Sequence, residues 1–202
     1  MATITSLDEL RTLVGDPHPQ VATKERNRLD EVDREWLAAS PLCFIATSNL
    51  EGDSDVSPRG DPPGFVRVLD DRTIVVPDRP GNRRVDSFRN ILENPRVALI
   101  HVIPGRGDTL RVAGAARLVT EPAYGGEFVV KGRSPSVFVE VAVERVFYHC
   151  SRAFLRGRLW KPDSWPLPDE LRSREAIAQA VHQPYLPLST DEGRTDEDAA
   201  LY

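Results

Sequence analysis

Arg83 and Arg84 stand side by side in the stretch PDRPGNRRVDSFRNILENP, after a Pro-Gly turn and ahead of an apolar pattern of helical spacing. Cations are ill placed at that end of a helix, whose first turn already presents unpaired amides and partial positive charge. An anion would reverse the balance. With Asn82 as cap and Arg83 and Arg84 as the first helical residues, free amides and two guanidinium forks converge on one point, which is the chemistry that holds a phosphate dianion. The competing reading is local pairing with Asp78 and Asp86, and this stretch alone leaves both open. A second constellation is HCSRAFLRGRLWKPDSW (149–165), where Arg152, Arg156 and Arg158 gather beside Trp160. His149 and Cys150 are neighbours on an expected strand, so their side chains point to opposite faces, and no oriented base makes them a nucleophilic pair.

Composition narrows what these groups can serve. At 202 residues, 40% hydrophobic and 28% charged, the chain suits one globular domain with extensions. A net charge of −5 gives no general attraction for nucleic acid, so the local basic pairs must serve something smaller than a duplex. The sequence has no apolar run of about 18 residues and its first segment lacks the pattern of a signal peptide, so the expected location is the cytoplasm, with no membrane partner. Cys43 and Cys150 show no metal spacing and read as reduced thiols, Cys43 as a core residue and no metal site expected.

The elements that must position the arginines follow from periodicity. Residues 1–40 form a helical extension: SLDE at 6–9 fits a capping box, and from 24 to 40 Leu29, Val32, Trp36 and Leu37 share one face, with the charges of KERNR and EVDRE forming a solvated face. Residues 41–160 turn to strands: 41–49, a second ending in SPRG, the hairpin 65–69 and 73–77, then 97–103, 109–121 and 136–150. One helix interrupts them at 83–94, with Val85, Phe88, Ile91 and Leu92 on its buried face, and Pro95 stops it. Gly114 marks a bulge or a close backbone approach. Val137, Val139, Val141 and Val143 alternate with Phe138, Glu140, Ala142 and Glu144. Six or so antiparallel strands and one helix predict a mainly β, α+β fold closed as a small barrel, which removes exposed edges. Residues 161–202 add a helix burying Leu171, Ile177, Ala178 and Val181, then an acidic tail expected to be poorly ordered.

In order and spacing, LCFIATSN, SPRG, PGFVRVL, TIVVP, PDRPGNRR, PGRGDTLRVAG and HCSRAFLRGRLW resemble the pyridoxamine 5′-phosphate oxidase-like family of FMN-binding split barrels, over about residues 40–160. The closest resemblance is to a branch of FMN-dependent enzymes without an assigned substrate. It implies that Asn82, Arg83 and Arg84 hold the FMN phosphate. Arg59 matches a region where a basic side chain reaches the phosphate or ribityl chain, and is otherwise a surface strand residue. Thr109 falls where the family turns a polar group toward the flavin ring, and Arg111 follows two residues later on the same strand face, near the flavin, the alternative being a purely structural barrel arginine. A homodimer with the flavin at its interface is implied, and there Arg156 and Trp160 would close over the partner subunit's ring, the alternative being that Trp160 only packs the interface.

The implied activity is FMN-dependent oxidation or reduction of a small molecule, with hydride moving through flavin N5 and no side-chain acid or base required. The C-terminal LWKPDSWPLPDELRSREAIAQAVHQ departs from the arginine and histidine arrangement of the true pyridoxamine phosphate oxidases, which puts that substrate in doubt. A deazaflavin-dependent reductase and a non-enzymatic flavin or haem carrier or sensor are the competing classes, with His101, His149 and His182 as the available haem ligands.

Overall fold

The computed structural model describes residues 3–81, 83–167 and 170–181, the side chains of 174, 175 and 178 excepted. A single seven-stranded antiparallel sheet runs in the order β2-β1-β5-β6-β7-β4-β3. The strands are β1 (Leu42–Ser48), β2 (Ser54–Gly60), β3 (Arg67–Asp70), β4 (Thr73–Pro77), β5 (Arg96–Val102), β6 (Thr109–Val119) and β7 (Phe138–His149). Helices α1 (Leu7–Val14), α2 (Pro19–Ala22) and α3 (Glu31–Ala39) precede the sheet, α4 (Asp86–Glu93) interrupts it, and α5 (Arg152–Arg156) and α6 (Arg174–Ala180) follow. The fold is mainly β, a split barrel: no ladder joins β2 to β3 among the described residues, so the edges expected to vanish on closure remain.

The inner face carries the core. Cys43 and Ile45 of β1, Leu99 of β5, Leu110 and Val112 of β6, and Val141 and Val146 of β7 are each no more than 1% exposed. Alternation on β7 breaks where Gly114 faces Val143 while Ala113 faces Arg145, which leaves Glu144 as the extra residue of a bulge. Inward positions are therefore odd up to Val143 and even from Val146 onward. Gly114 is where the backbones meet most closely: a Cβ there would lie 1.8 Å from the Ala142 carbonyl oxygen.

Several sequence expectations are corrected by packing. The segment 24–30 is not helical; Arg26 forms an isolated bridge with Val146 of β7, and α3 starts at Glu31. The charge run of that region is not all solvated, because Asp33 is fully buried and accepts from Nη1 and Nη2 of Arg26, at 2.7 and 2.9 Å, and from Asp30 N at 2.8 Å. A buried carboxylate needs such partners, and Arg26 is fixed to supply them by its bridge to β7. Val32 is exposed, while Leu29, Trp36 and Leu37 reach the core. On α4 only Phe88 and Ile91 of the expected apolar face are buried; Val85 and Leu92 are exposed. Leu171, Ile177 and Val181 are likewise exposed rather than buried, and the acidic tail lies outside the described residues. Ser6 caps α1 by accepting from Glu9 N at 3.1 Å, as the SLDE pattern predicts.

His101 sits in this core on β5, between Cys43 and Leu110 in the register. It is fully buried with both ring nitrogens unpartnered, and burial depresses its pKa to about 3. The folded state therefore refuses a proton that the unfolded chain accepts below its ordinary value of about 6.5. Stability from this group is complete above pH 6.5 and falls as pH drops toward 3. His101→Leu should flatten that part of the pH profile, a difference read from urea midpoints of the two proteins between pH 7 and 4. Gly114→Ala should cost roughly 3 kcal/mol through forced separation of β6 and β7, measurable as a lowered Tm.

Candidate functional site

Four elements converge on a cleft of about 580 Å³, lined by β2 from Asp55 to Arg59, the end of β4 at Asp78 and Arg79, the turn into α4 from Arg83 to Phe88, and the loop Ser134–Ser136. The structure thus brings Arg59, Arg83 and Arg84 together around one space. Asn82 lies outside the described residues.

The helix start differs from expectation. α4 begins at Asp86, with Val85 at its cap position in the left-handed region (φ 55°) and Arg83 left-handed as well (φ 61°). Arg83 and Arg84 therefore belong to the turn before the helix rather than to its first residues. Asp86 opens the helix, where a carboxylate suits the dipole, and accepts from Arg84 Nε at 2.7 Å. That contact raises the pKa of the exposed Arg84. Ser87, buried beneath the turn, donates to Asp55 Oδ2 of β2 at 2.8 Å and so ties α4 to the opposite wall.

Ion pairs close the split at this end of the sheet. Arg59 Nη1 of β2 donates to Asp78 Oδ1 at 3.0 Å, and the Arg59 guanidinium lies 5.2 Å from the Phe88 ring centroid. Arg79 Nε donates to Asp61 Oδ2 at 2.6 Å and its Nη2 to the Phe128 carbonyl at 2.9 Å. The Asp61 side chain is 2% exposed and that of Arg79 14%, so water weakens this pair little. Asp78 is half-buried; desolvation raises its pKa, and Arg59 opposes the rise. An adjoining recess of about 330 Å³ shares Asp78, Arg79, Pro80, Ser134 and Pro135 with the cleft and adds Arg133. The Ser134–Ser136 wall had no signal in the sequence, since SPS matches no binding pattern.

Thr109, Arg111, Arg156 and Trp160 do not line this cleft. Thr109 is buried at the start of β6 opposite His149, and Arg111 stands between Ile100 and Phe147. Arg111 Nε is buried without an acceptor. Its row on the outer face continues through Ile100 and Phe44 to Pro58, with Phe44 36% exposed. Trp160 Nε1 donates to the Arg106 carbonyl at 2.6 Å, and its ring meets Phe154 edge to face at 6.0 Å. Arg156 is exposed in the last turn of α5. These groups therefore lie by the β5–β6 turn and the outer face of the sheet.

Cys43 is buried, with its thiol pushed up to about 12 by desolvation, and Cys150 is exposed. Among the described residues no cluster of His, Cys, Asp and Glu could hold a metal ion, and no helix is long and apolar enough to cross a membrane. His182 lies outside the described residues.

Comparison with solved structures finds matches at low identity. HupZ of Group A Streptococcus is 23% identical with a TM-score of 0.49, covering 61% of this chain and 95% of that one. A protein from Clostridium acetobutylicum related to general stress protein 26 of B. subtilis, of the pyridoxinephosphate oxidase family, is 14% identical with a TM-score of 0.45, covering 60% and 91%. An F420 reductase is 19% identical with a TM-score of 0.40, covering 60% and 98%. None of the curated proteins matches the chain. Residues 29–150, more than half of the chain, match the family model described as pyridoxamine 5′-phosphate oxidase. With all seven strands and α4 inside that span, the chain belongs to the pyridoxamine 5′-phosphate oxidase family.

Proposed function

We propose that the protein is an FMN-dependent oxidoreductase acting on a small molecule, with the phosphate end of the cofactor in the cleft of Arg59, Arg83 and Arg84. The observation that carries this reading is that cleft itself, where guanidinium groups from β2 and from the turn before α4 face one space. The donor set fits a phosphate. Arg59 is held by its strand and by Asp78, Arg84 is braced by Asp86, and Arg83 projects from a backbone fixed in the left-handed region. Bound flavin would supply hydride transfer at N5, and the chain's part is to bind, orient and exclude water.

The ring end is proposed to lie against a second copy. The row Pro58, Phe44, Ile100, Arg111 and Phe147 on the outer face of the sheet suits a homodimer contact, with apolar groups around one buried guanidinium nitrogen that lacks an acceptor. A flavin carbonyl is one acceptor to which Arg111 Nε would donate, with Thr109 beside it on the same face. Arg156 and Trp160 would reach the ring from the same side, although the Trp160 indole is already engaged by Arg106. The cytoplasm is the proposed location.

Arg59→Ala and Arg83→Ala should each weaken FMN binding by about 1.5–3 kcal/mol, the range for charge-assisted bonds, in a fluorescence titration with the fold checked by circular dichroism. Unchanged affinity in both variants would overturn the placement of the phosphate. Purified protein should carry the visible spectrum of FMN, and a deazaflavin or haem spectrum would replace this cofactor. Phe44→Glu should turn a dimer into a monomer in sedimentation at micromolar concentration and lose FMN with it. A wild-type monomer that retains FMN would contradict the shared site.

A further inference from the structure

The arginine that faces the cleft from β2 already has a carboxylate partner. Arg59 Nη1 lies 3.0 Å from Asp78 Oδ1, and both residues line the space assigned to the phosphate. Neither backbone is free to retreat. Arg59 is paired with Cys43 in the β1–β2 ladder, and Asp78 N donates to the Val137 carbonyl at 2.9 Å, which extends the β4–β7 ladder by one bond. An anion that takes Arg59 must therefore come to rest beside the Asp78 carboxylate.

We propose that anion binding in this cleft is coupled to proton uptake by Asp78, which exchanges its Arg59 partner for a proton; the inference rests on the phosphate reading above. The proton comes from solvent, so the complex gains one hydrogen ion and Asp78 becomes a neutral donor able to face a phosphate oxygen. Two anions cannot share a partly desolvated site at low cost; Arg59, Arg83 and Arg84 around the phosphate hold it charged, so the proton goes to Asp78, which has given up its partner. Desolvation already favours the neutral form of Asp78, and Arg59 is what holds it charged.

The other charges around Asp78 do not replace Arg59. Asp55 on β2 accepts from Ser87, and Asp86 accepts from Arg84. Arg79, next to Asp78, is engaged by Asp61 and the Phe128 carbonyl. Arg83 and Arg84 face the cleft from the turn before α4, where the anion itself would draw on them, and Arg133 lies in the adjoining recess. The wall formed by Ser134, Pro135 and Ser136 brings no charge.

Calorimetric titration of the wild-type protein with FMN at pH 7, in two buffers of different ionisation enthalpy, measures the protons exchanged. Net uptake is expected, and Asp78→Asn should abolish it while tightening FMN about tenfold at pH 8, with the gap narrowing as pH falls. Riboflavin, which lacks the phosphate, should bind without uptake in either protein. Equal heats in both buffers with FMN bound would overturn the coupling and leave the cofactor reading intact. Failure of FMN to bind anywhere from pH 6 to 8 would overturn both. The wild-type measurement stands even if Asp78→Asn does not fold.

Discussion

A sheet whose edge strands are not joined by a ladder must be held shut by something other than backbone hydrogen bonds, and here the guanidinium of Arg79 does it. Its Nε reaches Asp61 just after β2, its Nη2 reaches the Phe128 carbonyl in the loop before β7, and its own backbone follows β4. Three segments far apart in sequence are fixed by one planar group, which is the geometry that arginine offers and lysine does not. Because Asp61 is almost fully buried, losing either partner would strand a charge in a poorly solvated place. The cleft beside it depends on this closure, since its walls are the same three segments and the turn into α4.

Between β6 and β7 the barrel is held by packing. β6 and β7 approach so closely at Gly114 that only a glycine fits, and the bulge at Glu144 switches which residues of β7 face inward. Through this switch Val146 and Tyr148 join the core side, where the Trp36 ring of α3 meets Tyr148 edge to face at 5.4 Å. Helix α3 is thus coupled to the longest strand by an aromatic contact and by the Arg26–Asp33 pair.

The strands were legible because half-buried sheets impose a period of two on the sequence. TLRVAGAARLV at 109–119 coincides with β6 and its glycine lies at the bulge, whereas TIVVP at 73–77, buried on both faces as β4, shows instead as a short run of β-branched residues. The start of α4 was not legible, because nothing in local propensity announces a valine or an arginine in the left-handed region; the turn is set by tertiary contacts. Asp33 was misplaced for a related reason, since a carboxylate in a charged run looks solvated until its partner, seven residues earlier, is seen pinned to β7. Within the site, the arginines of PDRPGNRR and SPRG could be read from type and order. Their convergence, and the pairing of Arg59 with Asp78 rather than Asp78 with Arg83 or Arg84, is a property of how the sheet coils.

The two left-handed residues that flank Arg84 have a kinetic consequence. Arg83 and the β-branched Val85 each hold a conformation that costs on the order of 1 kcal/mol or more, and this cost is met when the chain folds. Any anion arriving at the cleft then meets a turn already set. For the anion proposed there, association would be limited by encounter rather than by loop ordering, without the entropic loss that a slack loop would impose at the moment of capture.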